Sequence, residues 1–101
     1  MSVIKVTNEN FSSVKSSEKP VLLDFYADWC GPCRMVAPII EEIANERDDV
    51  IVGKVNVDSE GELAREFGIF SIPTILVLEG GEVKGRSVGA KSKAGLLALL
   101  A

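Results

Sequence analysis

The chain has 101 residues, 47% of them hydrophobic and 26% charged, which suits one globular domain over residues 1–101 with a core of its own. Its formal net charge is −4 and no basic stripe is visible, which argues against a nucleic-acid partner. The absence of histidine excludes imidazole metal sites, Cys–His dyads and histidine general bases.

The first residues lack a basic segment followed by a long apolar run, so no signal peptide is expected. No apolar run approaches the roughly 18–20 residues of a membrane span, so the expected compartment is cytoplasmic and no membrane partner is expected. Residues 3–6 read as a short strand. Thr7 and Asn8 are candidate caps of a first helix reaching about residue 17, with Phe11 and Val14 on its inner face. Lys19-Pro20 breaks the chain ahead of Val21–Tyr26, a strand apolar on both faces apart from Asp24. Strands of that kind lie inside sheets covered on both sides.

A helix follows from near Cys33 to residue 45 or 46, with Met35, Val36, Ile39, Ile40 and Ile43 as its apolar stripe and Pro38 as a kink. Residues 50–57 form the next strand, 58–61 a turn, and 62–67 a short helix stopped by Gly68. Thr74–Glu79 and Glu82–Val88 are strands joined by the hairpin signal Gly80-Gly81. Ser92 caps a last helix ending in residues 96–100. The order is β-α-β-α-β-α-β-β-α, parallel in its first half with an antiparallel hairpin at the edge.

The only two cysteines and the only tryptophan fall in Asp28-Trp29-Cys30-Gly31-Pro32-Cys33, where a strand hands over to a helix. Cysteines at that spacing share a helix face with Cβ atoms ~5–6 Å apart, near enough for a disulfide. The loop so closed is very short and constrains the unfolded chain little, which suits a bond made and broken repeatedly. Cys30 should sit at or just before the first turn, where free amide N–H groups and the helix dipole favour its thiolate. Cys33, one turn inside, should be the more buried and the resolving partner. Pro32 pre-sets helical φ, and Gly31 leaves room for a substrate backbone. Two other readings stay open: inert core thiols, and half of a zinc site shared between two chains.

These residues resemble the thioredoxin family, and the resemblance covers nearly the whole chain. Phe25-Tyr-Ala-Asp-Trp-Cys-Gly-Pro-Cys33 matches the active-site signature, with Tyr26 at a position more often tryptophan. Asp24, Ala37-Pro38, residues 54–58, the segment Gly68-Ile-Phe-Ser-Ile-Pro-Thr74 and Gly89-Ala90 match further motifs. The resemblance implies an α/β thioredoxin fold, a mixed sheet of about five strands flanked by about four helices.

It also implies a protein disulfide reductase in which Cys30 attacks and Cys33 resolves. Asp24 would lie beneath Cys33 and accept its proton through water, with Lys54 near Asp24 as modulator. Burying an aspartate between Val-Leu-Leu and Phe-Tyr should be costly and should raise its pKa, unless the strand ends early and leaves it solvated. The alternative for Lys54 is an exposed strand lysine. Pro73 would be cis. Trp29, Gly31, Pro32, Ile72, Pro73, Gly89 and Ala90 would form an apolar groove around Cys30, Trp29 at its rim unless it is packed into the core.

Disulfide-containing proteins would be the substrates of a monomer that binds no cofactor itself. A flavin- or ferredoxin-dependent thioredoxin reductase would supply its electrons. Two alternatives are an oxidase or isomerase, which often has a histidine between the cysteines, and a non-enzymatic scaffold with incidental thiols. Gly31-Pro32 carries no such charge.

Overall fold

The structure, a computed structural model, describes residues 2–101. Its elements are β1 (Ile4–Lys5), α1 (Phe11–Lys15), β2 (Val21–Tyr26), α2 (Gly31–Glu46), β3 (Ile51–Asn56), α3 (Gly61–Glu66), β4 (Thr74–Glu79), β5 (Glu82–Val88) and α4 (Lys93–Leu99). The sequence pattern predicts this order. The five strands form one sheet in the order β1-β3-β2-β4-β5. β1 and β2 run parallel to β3, and β4 is antiparallel to both β2 and β5.

Strand alternation divides the core into two layers. Leu23 and Phe25 of β2 pack with Phe11 of α1 and Leu63 of α3 on one side of the sheet. Leu22 packs with Val36, Ile40 and Ile43 of α2 and Leu96 of α4 on the other. The even-numbered face of β2, which carries Asp24 and Tyr26, is therefore turned to α2. Among the described residues no helix is long and apolar enough to cross a membrane.

Several boundaries differ from the sequence expectation, each for a local reason. The first helix is short and its cap is Asn10, not Thr7 or Asn8. Thr7 and Asn10 instead close a turn on each other: the Thr7 N–H donates to Asn10 Oδ1 (2.8 Å) and the Asn10 N–H to Thr7 Oγ1 (3.2 Å). Asn8 gives its N–H to Glu60 Oε1 at 2.9 Å. α2 starts at Gly31 rather than Cys33, because Cys30 caps it, and it continues to Glu46 with Pro38 inside. α4 is capped as expected, with Ser92 Oγ accepting from the Gly95 N–H at 3.1 Å.

Two glycine sites are fixed by geometry. Gly80 and Gly81 have φ of 59° and 82°, the left-handed pair that a tight hairpin turn demands. Gly53 of β3 lies against β1, and a Cβ there would come within 2.6 Å of Val6 Cγ2. Val6 is buried and has little room to yield. Gly53→Ala should lower stability by about 1–3 kcal/mol through this overlap. A urea midpoint equal to that of the wild type would show that β1 moves aside freely.

Candidate functional site

The site begins where β2 ends and α2 starts. Cys30 is the N-cap of α2 with an extended backbone (φ −89°, ψ 112°), and its Sγ accepts the Cys33 N–H at 3.2 Å. Pro32 lies in the first turn, where its missing N–H removes no helical bond. Cys30 and Cys33 are joined by a disulfide across a Cα–Cα distance of 5.3 Å. A Cβ at Gly31 would meet nothing within 4 Å, so the first turn of α2 is open at that position.

Cys30 is only 5% exposed and Cys33 3%, so Cys33 is the more buried by a narrow margin and both residues are closed off. The bond folds Cys30 Sγ back onto the first turn of α2, and Ile72 covers it, with its carbonyl oxygen 3.8 Å from that sulfur. The asymmetry lies in the neighbours. Cys30 faces the backbone of Ile72, whereas Cys33 lines a cavity of about 210 Å³ with Asp24, Lys54, Tyr26, Asp28 and Arg34.

Asp24 is buried in the central strand, and its Oδ1 has no hydrogen-bond partner among the described residues. Burial in this apolar setting pushes its pKa up from 3.8 to about 7, against a smaller downward pull from the charge of Lys54. Lys54 stands opposite Asp24 in the β2–β3 register and is half-buried in the same cavity. That placement is not the freely exposed strand lysine that the sequence left open. It is also where the alternation of two adjacent parallel strands must put it, since residues in register share a face.

The other side of the site is the loop before β4. The Ile72–Pro73 bond is cis, Pro73 is buried, and Ile72 is half-buried against the cysteines. The Gly89 N–H donates to the Pro73 carbonyl at 2.8 Å, which ties Gly89 and Ala90 to this loop. Trp29 is 68% exposed, and its indole N–H donates to Asp58 Oδ2 at 2.9 Å. Trp29 is thus a rim residue and not part of the core.

Two supporting contacts were not foreseen. The sequence places Asp58 in a turn and at the end of the 54–58 motif, and it gives neither Asp58 nor Arg34 a side-chain partner. Arg34 donates from Nε (3.2 Å) and Nη2 (2.8 Å) to the Asp28 carbonyl, and so latches the loop leading into Cys30. The six-residue spacing of Asp28 and Arg34 across a helix start is the only local signal for that latch. The Trp29–Asp58 bond joins residues 29 apart and has none.

Two thiols closed on each other are not inert packing groups, and the chemistry that this arrangement supports is the making and breaking of one disulfide. The chain is a thiol–disulfide oxidoreductase. The sequence model of the family Thioredoxin matches residues 2–101, and the chain belongs to that family, whose dithiol motif serves protein disulfide reduction. A thioredoxin of Mycobacterium bovis is 55% identical over 96 residues, which cover 93% of this chain and 83% of that protein. The bifunctional thioredoxin reductase/thioredoxin of Mycobacterium leprae is also 55% identical over 96 residues, covering 93% of this chain and 21% of that protein. Among solved structures, the thioredoxin of Malassezia sympodialis aligns with a TM-score of 0.90 at 34% identity, over 98% of this chain and 89% of that one. The mixed five-strand sheet with four helices is the fold of this family.

The raised Asp24 pKa makes stability depend on pH. The folded state holds the proton up to about pH 7, while an unfolded aspartate releases it near 3.8. Stability is therefore full below about pH 4 and falls as pH rises to about 7, because the folded state then binds more protons than the unfolded one. Relative to Asp24→Asn, which carries no charge at any pH, the oxidised wild type should lose on the order of 4 kcal/mol between pH 4 and pH 8. Urea unfolding of both proteins across that range measures this, and a pH-independent difference would contradict the raised pKa.

Proposed function

We propose that the chain works as a cytoplasmic, monomeric, single-domain electron carrier in which Cys30 opens the substrate disulfide and Cys33 closes the cycle. The observation that carries this division of roles is the buried Asp24, whose Oδ1 lacks a partner among the described residues and which shares its cavity with Cys33 and not with Cys30.

The cycle starts from the dithiol. The Cys30 thiolate, favoured by the N–H groups of the first turn of α2, attacks one sulfur of the substrate disulfide. A Cys30–substrate bond forms, the substrate S–S bond breaks, and the freed substrate thiolate takes a proton from water. Asp24 in its ionised form accepts the Cys33 proton through water in the cavity. Cys33 then attacks Cys30 Sγ, the Cys30–Cys33 disulfide forms, and the second substrate thiolate leaves. Two electrons pass to the substrate.

A pKa of about 7 suits this role, since a base poised near the working pH is the most effective. The positive charge of Lys54 favours the ionised carboxylate, and Asp24 and Lys54 are therefore proposed as the proton-handling pair beside the two cysteines. Trip points for the substrate chain are the groove residues Trp29, Gly31, Pro32, Ile72, Pro73, Gly89 and Ala90, with the Ile72 backbone pairing to an extended segment beside the attacked cysteine. Thioredoxin reductase is proposed as the electron donor. The reductase/thioredoxin fusion of Mycobacterium leprae supports that pairing.

Reduced Cys33→Ser mixed with insulin should accumulate a covalent adduct through Cys30, read by mass spectrometry without reductant, whereas Cys30→Ser should form little. Adducts appearing equally through Cys33 would reverse the assigned roles. The rate of resolution in the wild type should rise with pH to a plateau above about 7, and Asp24→Asn should lose that rise and slow the step by about 100-fold. An unchanged pH profile in Asp24→Asn would remove Asp24 from the mechanism.

A further inference from the structure

The three most exposed large apolar side chains among the described residues each lie within two residues in sequence of Cys30, Cys33 or Ile72. Trp29 (68%) precedes Cys30, Met35 (71%) follows Cys33 by two residues, and Phe70 (98%) stands two residues before Ile72. The remaining large exposed hydrophobics, Ile4, Val83 and Val88, sit on the edge strands β1 and β5.

Phe70 is the extreme case, a whole aromatic ring that nothing in the chain covers. Its loop is nevertheless anchored on both sides. Arg86 donates from Nη1 to the Phe67 carbonyl (2.8 Å) and from Nη2 to the Gly68 carbonyl (2.9 Å), and the Ile69 N–H donates to the Ala64 carbonyl at 2.8 Å. Beyond it, Thr74 Oγ1 donates to the Ser71 carbonyl. Phe70 is thus held out in solvent by fixed backbone. Its Cα lies at most about 7 Å from that of Ile72, the longest span of two residues. Ile72 in turn places its carbonyl 3.8 Å from Cys30 Sγ.

We propose that Phe70, with Trp29 and Met35, forms an apolar rim that selects substrate disulfides flanked by large apolar side chains, Phe70 supplying the discriminating contact. This rests on the reductase reading above, and it names the substrate class of that same site. A polypeptide whose cysteine reaches Cys30 must pass its neighbouring residues over this rim. Apolar neighbours gain burial against two aromatic rings and an adaptable methionine. Polar neighbours gain no such burial against these three side chains and lose water on meeting them.

The test uses the full reduced chain and three disulfides: a peptide disulfide with leucine on both sides of its cysteine, the same peptide with serine there, and bis(2-hydroxyethyl) disulfide, too small to reach the rim. The wild type should oxidise about tenfold faster with the leucine peptide than with the serine peptide, equivalent to about 1.4 kcal/mol. Phe70→Ser should cut that ratio to about twofold by slowing the leucine peptide alone, with the small disulfide and the thermal midpoint unchanged. Equal wild-type rates for the two peptides, or equal slowing of both by Phe70→Ser, would overturn the proposal. Failure of all three disulfides to react would overturn the reductase reading and this proposal with it, and the small probe tells that outcome from the others.

Discussion

The structure turns on one unfavourable burial, the carboxyl of Asp24 in the middle of a hydrophobic sheet. Its strand β2 is hydrogen-bonded on both sides, to β3 and to β4, and cannot slip without turning Leu23 and Phe25 out of the core. Alternation then forces Asp24 onto the face covered by α2. The carboxyl lies where water is scarce, and one of its oxygens finds no partner among the described residues. The strand tolerates this because Val21, Leu22, Leu23 and Phe25 around it are fully buried. The energy gained from those apolar neighbours is what holds a carboxyl whose pKa has risen to about 7.

The same constraint distinguishes the two cysteines. Both are nearly inaccessible, so accessibility cannot decide which one reacts first. Their surroundings can. Cys30 caps α2, receives the Cys33 N–H and looks toward the Ile72 backbone. Cys33 looks into the cavity that holds Asp24 and Lys54. One sulfur is placed near an amide donor and the loop before β4, the other near a buried carboxyl and a half-buried ammonium.

Much of this was legible in the sequence, and particular residues show why. The run Val21–Tyr26 declares a central strand by being apolar on both faces, and Asp24 stands out in it because the pattern has no other reason for a charge. Gly80-Gly81 and Ser92 carry their turn and cap chemistry locally, and both features form as read. The cap of α1 was misplaced because Thr7, Asn8 and Asn10 are all chemically able to cap, and contacts with the distant Glu60 decide among them. Asp58 under Trp29 and Arg86 under the Phe67–Gly68 carbonyls are invisible for the same reason, since both join segments far apart in the chain. The cover that Ile72 lays over Cys30 comes from 42 residues away, so only the resemblance, and no local spacing, points to it. The cis Ile72–Pro73 bond followed only from resemblance, as no local rule selects it.

The most direct test of the account is the titration of Asp24 itself, read from the carboxyl carbon shift by ¹³C NMR in the oxidised protein. A midpoint near pH 7 is expected, well above the ordinary aspartate value. A midpoint near 4 would mean that the carboxyl is solvated, and the coupling between the buried strand and Cys33 would fall with it.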